Sequence, residues 1–405
     1  MAFEIKRHSG SAREFFQSAE VAFGEHFEPV DLPVFEPLFE PDRAIAANDG
    51  DRMVGNATII TFDLTVPGGK LPTAGVSAVG VQPTHRRRGI LREMMRRQLD
   101  EVHERGEPLA ALWASEGSIY QRFGYGLATL TASIEVERTR TAFRQAHTPS
   151  GKIRFVGRDE AGRLFAPVYE RMQATRPGFF TRSAAYWNTI FYDPERWRHG
   201  GGPAFYVVHE VDGAVDGYAR YRIHDDWDTV GSKSRLVVME LMAENAATHL
   251  DLWQFLFGVD LIATVAGRLM AVDDPLLLAM AEPRRLRFTV GDALWLRLID
   301  VEAALVGRRY TGTGRVVIEL ADGFCAWNAG RWAIDVRDGS ATVERTGAPA
   351  QLALDVTDLA ALYLGAFRVA QLLAAARGRE LLEGAAAQLD ALLRTDRAPW
   401  CPAVF

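Results

Sequence analysis

The chain has 405 residues, 48% hydrophobic and 24% charged, which is too long for one ordinary core and supplies material for two or three soluble domains. A net charge of −6 excludes a nucleic-acid binder working through a basic surface and is compatible with a polycationic small molecule. Cys325 and Cys401, with scattered histidines, indicate neither a disulfide framework nor a metal site; the N-terminus has no signal-peptide core and the apolar run 252–267 is interrupted by Gln254 and Asp260, so the cytoplasm is the expected compartment and no membrane partner is expected.

In chain order, residues 13–23 predict a helix with Phe15, Phe16, Ala19, Ala22 and Phe23 on its apolar side. Residues 26–42 carry Phe27, Phe35, Phe39, Glu28, Asp31, Glu36 and Glu40 among prolines. Such a segment either packs its rings onto the core or lines a pocket for a cationic amine. Strands are predicted at 44–48, 52–66 and 73–81, with turns at Asp49-Gly50 and Pro67-Gly68-Gly69. After Val79-Gly80-Val81 the chain breaks at Pro83, passes Arg86-Arg87-Arg88-Gly89 and enters a helix at 89–104. Ile90, Leu91, Met94, Met95, Leu99 and Val102 fall on one face of it, and Gly106 with Pro108 stops it.

An arginine run of this kind is by itself a solvated helix face. Between a strand and a helix it reads differently: unpaired backbone N–H groups, the helix dipole and the guanidinium charges converge on one spot, which suits a phosphorylated ligand. His85 reads as a capping or phosphate-side residue. A second short strand, 109–113, leads to Ser115-Glu116-Gly117 and Tyr120. A strand at 127–138 completes an α/β layer of mixed sheet and flanking helices, and the first unit spans 1–150.

A second unit, 151–300, repeats this order: a strand at 152–156, a helix at 159–172, strands at 204–211, 215–224 and 234–242, a helix at 246–257 and a strand at 261–265. Where the first copy has its arginine turn, this one has Ala243-Glu244-Asn245-Ala246-Ala247, with no basic residue. A third unit, 301–405, reads as short strands at 316–320, 323–328, 331–336 and 341–344, followed by helices at 356–364, 368–375 and 381–394.

Val79-x-Val81-x-Pro83 followed by Arg86-x-x-Gly89-x-Leu91 resembles the acetyl-coenzyme A signature of the GNAT acetyltransferase superfamily, in which Q/R-x-x-G-x-G/A cradles the pyrophosphate; Leu91 departs from the usual small last residue. The run from Pro83 to Gly126, with Ala114-Ser115-Glu116-Gly117 and Tyr120-x-Arg122-Phe123-Gly124-Tyr125-Gly126, is similar to the enhanced intracellular survival acetyltransferases of actinobacteria, and the likeness covers nearly the full length. The resemblance implies an α/β (α+β) chain with a catalytic GNAT domain at 1–150, a degenerate GNAT-like domain at 151–300 and a sterol-carrier-protein-type domain at 301–405.

It further implies acetyl-coenzyme A as cosubstrate and no metal. Arg86, Arg87, Arg88, Gly89, Ile90, Leu91 and Arg92 would lie around the pyrophosphate, Val79, Gly80 and Val81 along the pantetheine arm, and Ser115 and Glu116 as further cofactor contacts. The implied acceptors are amines of aminoglycoside-like polyamines, with protein lysines as an alternative, and the implied assembly is a homohexamer. Tyr120 matches the family's general acid, a role suited to a phenol that is protonated at neutral pH. Its other reading is a ring packed beside Phe123 and Tyr125, and Tyr125 competes for the role.

No His-Asp or Cys-His arrangement favours a covalent acetyl-enzyme. The base that the resemblance implies is the terminal carboxylate, here that of Phe405, at the end of an uncharged tail, 398–405, that is poor material for a frayed end. Val404 is not acidic, which bears on the substrate range. The rival class is a protein that binds coenzyme A or an apolar ligand in its third domain without turnover.

Overall fold

In the computed structural model, which describes residues 3–24 and 28–405, strand β1 (Glu4–Arg7) leads into helix α1 (Ala12–Phe23) and the single turn α2 (Leu32–Phe35). His26 and Phe27 lie outside the described residues. α1 starts at a capping box between Ser11 and Glu14 and stops at Gly24, whose φ is 70°, as a left-handed helix end requires. Antiparallel strands β2 (Ile45–Asp49), β3 (Arg52–Val66) and β4 (Gly69–Val81) follow, then helix α3 (Ile90–Glu104), strand β5 (Leu109–Trp113), the turn α4 (Gly117–Tyr120) and the short β6 (Gly126–Leu127). α3 buries Ile90, Met94, Met95, Leu99 and Val102, the apolar face predicted from their spacing. Gly106 is left-handed and the Glu107 N–H reaches back to the Val102 carbonyl, closing the helix.

The chain then crosses to a second sheet. It contributes β7 (Leu130–Glu137), β8 (Lys152–Val156), helices α5 (Arg158–Gln173) and α6 (Ala184–Phe191), β9 (Phe205–Val211), β10 (Ala214–His224), β11 (Arg235–Ala243), helix α7 (Ala246–Gly258), β12 (Thr264–Met270), the turn α8 (Leu276–Ala279) and β13 (Thr289–Asp292). β14 (Leu294–Leu298) returns to the first sheet, whose order is β1-β2-β3-β4-β5-β14-β6, while the second is β13-β7-β12-β11-β10-β9-β8. Each sheet is thus completed by one strand from the other's stretch of sequence, β7 from before residue 150 and β14 from after it. The strand predicted at 261–265 begins only at Thr264, because Leu261 sits at a positive φ of 59° in the preceding turn.

The third unit holds α9 (Val301–Val306), β15 (Gly314–Ala321), β16 (Gly330–Arg337), β17 (Ser340–Arg345), β18 (Leu352–Asp355), α10 (Val356–Tyr363), α11 (Val369–Ala374), β19 (Arg379–Glu380) and α12 (Ala385–Leu393). Its sheet runs β17-β16-β15-β18-β19. Residues 323–328, predicted as a strand, form instead a turn of 3-10 helix at Ala326–Asn328. Asp322 captures the N–H groups of Phe324 (3.1 Å) and Cys325 (2.8 Å) that a ladder would have used. The predicted helix 381–394 starts only at Ala385.

Ile318, Trp332, Ile334, Leu359, Tyr363 and Leu389 are packed in one core with Phe62, Leu64, Leu294 and Leu296 of the first sheet. Arg297 on β14 and Asp322, both fully buried and 2.6 Å apart, join the same two units. Removing either partner would strand a charge in the core.

Candidate active site

The site begins with a strand pair that stops pairing. β4 and β5 run parallel and are bonded at Thr73 with Leu109, Ala74 with Ala110 and Gly75 with Ala111, after which β4 continues to Val81 and β5 to Trp113. Between them opens a cleft of about 760 Å³, within the size range of small-molecule sites. On its β3 side, β4 carries a bulge: the register slips between Asn56–Gly80 and Thr58–Ser77, and Ala78 takes a φ of 49°. The buried Asn56 amide donates to the Ala78 carbonyl at 2.6 Å and fixes this turn of the strand. Gly80 is required by close approach, since a Cβ there would stand 2.6 Å from the Ala22 methyl of α1.

Beyond β4, Gln82 to Gly89 form the connection to α3. Gly89 is the N-cap residue at φ 87° with no side-chain cap, so the N–H groups of the first turn, from Ile90, Leu91 and Arg92, are left unpaired within the helix. No heavy atom lies within 4 Å of where a Gly89 Cβ would be, and the space before the helix end is open. Arg87 and Arg88 are exposed there and have no ion pair among the described residues. Arg86 is engaged: its guanidinium donates to the Val81 and Ala22 carbonyls, both at 3.4 Å, bracing β4 against α1.

Arg92 leans over the Phe324 ring at 5.7 Å, and Arg96 stacks on that ring at 3.7 Å. The Ile90 side chain is buried and Leu91 packs against the core, so both side chains point away from the open space before the helix. His85 bonds Asp49 (3.2 Å) and Thr84 (2.8 Å), tying the connection to the β2–β3 hairpin.

Tyr120, at the end of α4, lines the cleft and is 7% exposed. Burial pushes its pKa up to about 12, so the phenol keeps its proton. Tyr125 packs edge-on to it with centroids 6.0 Å apart; its hydroxyl is enclosed in the core without a partner among the described residues, and burial drives its pKa higher still. Of the two, Tyr120 alone reaches the cleft.

The C-terminal tail is held along its length. The Trp400 indole donates to the Leu269 carbonyl (2.7 Å), the Trp113 indole to the Ala403 carbonyl (2.8 Å) and the Tyr186 hydroxyl to the Val404 carbonyl (2.8 Å). The Phe405 ring packs on Phe62 and Phe180 at 5.0 and 5.1 Å. These contacts bring the last residue of the chain to the same cleft as Tyr120, Val79 and Ser115. Gly80, Val81, Glu116 and residues 86–92 are not on the cleft wall; Glu116 is exposed at the start of α4, and residues 86–92 form the connection to α3 and its first turn.

Several wall residues carry no site role in the sequence, although Phe16 and Phe23 belong to the apolar side predicted for α1. Trp113, Phe16, Phe23 and Trp197 line the cleft with Phe35, and Phe35 packs on Trp197 at 5.3 Å. Of the segment's carboxylates, Asp31 is buried against Tyr192 (2.6 Å) and Arg196, and Glu40 accepts from the Thr61 N–H and hydroxyl. Phe39 packs on His8 and Phe15. The segment 26–42 therefore contributes Phe35 to the cleft while Asp31, Glu40 and Phe39 serve packing. The one signal pointing to the α1 residues was their aromatic content, and that is indistinguishable from a core face.

Residues 6–128 match the family model described as an acetyltransferase (GNAT) domain, residues 178–298 a second model of that description, and residues 301–402 the sterol carrier protein domain. Fold and site thus define a GNAT N-acetyltransferase, and this fold implies acetyl-coenzyme A as cosubstrate, with which the splayed strands and the uncapped α3 terminus agree. An uncharacterized N-acetyltransferase of Streptomyces avermitilis is 41% identical over 92% of this chain and 91% of its own. N-acetyltransferase Eis of Mycobacterium tuberculosis is 35% identical over 94% of each chain. The crystal structure of Eis1 from Mycobacterium abscessus matches with a TM-score of 0.85 at 31% identity, covering all of both chains. The chain belongs to the Eis family of N-acetyltransferases. No helix among the described residues is long and apolar enough to cross a membrane.

Proposed function

We propose that this enzyme acetylates primary amines of aminoglycoside-like polyamines by direct attack, with Tyr120 as general acid and the terminal carboxylate of Phe405 as base. The observation that carries this reading is the meeting of Tyr120 and Phe405 in one cleft beside the bulged edge of β4. Acetyl-coenzyme A, when bound, supplies the thioester carbonyl. The N–H groups at the start of α3, with Arg87 and Arg88, hold its pyrophosphate. The edge groups of Val79, Gly80 and Val81 hold the pantetheine arm, and one of these N–H groups polarises the acetyl oxygen.

The Phe405 carboxylate attracts the acceptor ammonium and takes its proton through water, since an α-carboxyl of pKa about 3.5 is a weak base. As the amine nitrogen bonds to the acetyl carbon and the carbon–sulfur bond breaks, the Tyr120 hydroxyl gives its proton to the departing sulfur, and the second proton lost from the nitrogen returns the phenolate to the phenol through water. The phenol at about 12 is a weaker acid than an ordinary thiol, but the same burial raises a thiol in this cleft too.

The acceptor side is aromatic. Phe16, Phe23, Phe35, Trp113 and Trp197 surround the approach to Phe405, a wall suited to ammonium groups through their contact with ring faces. In the third domain, Ile318, Leu359, Tyr363 and Leu389 fill the space between sheet and helices, which favours a packed structural role there over an apolar ligand. A homohexamer belongs to the same proposal and is checked by light scattering. Thiol release measured over aminoglycosides, linear polyamines and lysine peptides tests the acceptor: turnover with lysine peptides alone would replace the substrate class, and coenzyme A binding with no turnover on any amine would sink the reaction.

A further inference from the structure

The second sheet contains a cleft built by the same device. β11 and β12 run parallel, pair from Arg235–Thr264 to Val238–Gly267 and then separate, and between their ends and α7 lies a cavity of about 290 Å³. Small-ligand cavities span about 300–1,000 Å³, so this one suits a compact ligand rather than a whole coenzyme A. The start of α7 is not its binding element. Asn245 caps the Thr248 N–H at 3.0 Å, and Asp216 accepts from the Thr248 hydroxyl (2.6 Å) and the Asn245 amide (3.2 Å).

The charge of the wall is lopsided. Each lining carboxylate has a cationic or imidazole partner: Glu240 with Arg182 at 2.6 Å, Glu244 with Arg171 at 2.5 Å and Asp274 with His249 at 3.0 Å. The same wall carries three arginines, Arg176, Arg268 and Arg397, and among the described residues only the first of them meets a carboxylate, Asp273, which is not itself on the wall. Arg268 and Arg397 are exposed and have no carboxylate partner among the described residues. Arg176 is 3% exposed. Its Nε donates to the Ala398 carbonyl at 3.1 Å and its Nη2 pairs with Asp273, which leaves Nη1 without a partner among the described residues. Burial lowers the Arg176 pKa, Asp273 raises it and Arg397 lowers it again, a balance that a further anion would ease. Beside these cations, Met172, Trp253, Met270 and Trp400 give the cavity a nearly dry apolar side.

We propose that this second cleft binds a small organic carboxylate with an apolar body of one or two rings, its charge held by Arg176, Arg268 and Arg397 and its body against Met172, Met270 and Trp400. The duplicated fold has kept the opening between its strands and exchanged a helix-end anion site for an arginine one. Arg397, Trp400 and Pro402 belong to the tail whose last residue, Phe405, lines the first cleft, so one segment of chain walls both sites.

The test is calorimetric titration of 2-naphthoate into the full-length enzyme, the Arg268→Ala/Arg397→Ala double variant, and Ala246→Trp, which fills the mouth of the cavity from the exposed first turn of α7. Saturable one-to-one binding is expected for the wild type, weakened about tenfold or more in both variants, which is 1.4 kcal/mol or more at 25 °C. It should persist with coenzyme A present, and uncharged 2-naphthamide should bind about tenfold more weakly. The proposal is overturned by undetectable naphthoate binding to the wild type, by equal affinity in the double variant, by equal affinity for the amide, or by competition from coenzyme A. Thermal melting of both variants at the wild-type temperature separates loss of binding from loss of fold.

Discussion

The two clefts start from the same scaffold and part company at one helix terminus. In the first, residues 82–89 separate β4 from α3, the helix begins at a left-handed, uncapped Gly89, and Arg87 and Arg88 stand free of ion pairs among the described residues. In the second, only Glu244 and Asn245 separate β11 from α7, Asn245 caps the helix and Asp216 bonds its first turn. A helix start attracts an anion only while its N–H groups lack a partner from the protein itself. In the second copy Asn245 is such a partner, bonded with Thr248 by Asp216, and the arginines on its cleft wall, Arg176, Arg268 and Arg397, lie on other segments than the helix end.

Substitutions can break or sharpen this contrast. The largest effect is expected for Tyr120→Phe, which should lower kcat by about 10²–10⁴-fold, the usual share of a general acid, while coenzyme A affinity stays level; an unchanged rate refutes the acid role. Next is a Gly-Ser extension beyond Phe405. It replaces the terminal carboxylate with a peptide bond while the indole clamps on Ala403 and Leu269 remain, so, if that carboxylate is the base, kcat should fall about 10²-fold with little change in melting temperature. Full activity of the extended chain would eliminate the terminal base.

Two matched changes then separate the helix ends. Gly89→Ala forces a Cβ into a left-handed residue at a cost of about 1–2 kcal/mol, expected as roughly tenfold weaker coenzyme A binding. Asn245→Ala should remove about 1 kcal/mol of stability in urea unfolding and leave coenzyme A affinity alone. The contrast fails if the two variants show the same phenotype. Smallest is the pH effect. Tyr120 and Tyr221 are both pushed up to about 12 by burial, above an unfolded value of about 10. Their contribution to stability is therefore level below pH about 10 and declines as pH rises from about 10 through about 12. Melting temperatures across that range report it, and no alkaline fall in kcat from Tyr120 is expected below pH about 11.

Much of the site was legible because its signals are local. The spacing of Ile90, Met94, Met95, Leu99 and Val102 fixes the face of α3, and Gly89 and Gly106 mark its ends. Features that depend on long-range partners were not legible. Nothing near Leu294–Leu298 announces that it will enter the first sheet, because an apolar run carries no record of which strand it pairs with. Residues 323–328 have strand-like composition, and only Asp322 turning back on their N–H groups decides against it.

By itself, then, the sequence determined the order of strand, arginine turn and helix through residues 79–104, since it rests on residues close along the chain; the duplicated plan and Tyr120 as a candidate acid drew mainly on the resemblance of longer motifs. The tertiary structure alone decided which of the tyrosines reaches the cleft, which aromatic residues wall it, and that the final residue arrives there. Those outcomes depend on strands exchanged between sheets and on indole and phenol donors, Trp113, Tyr186 and Trp400, clamping a tail hundreds of residues away in sequence from the cleft it completes.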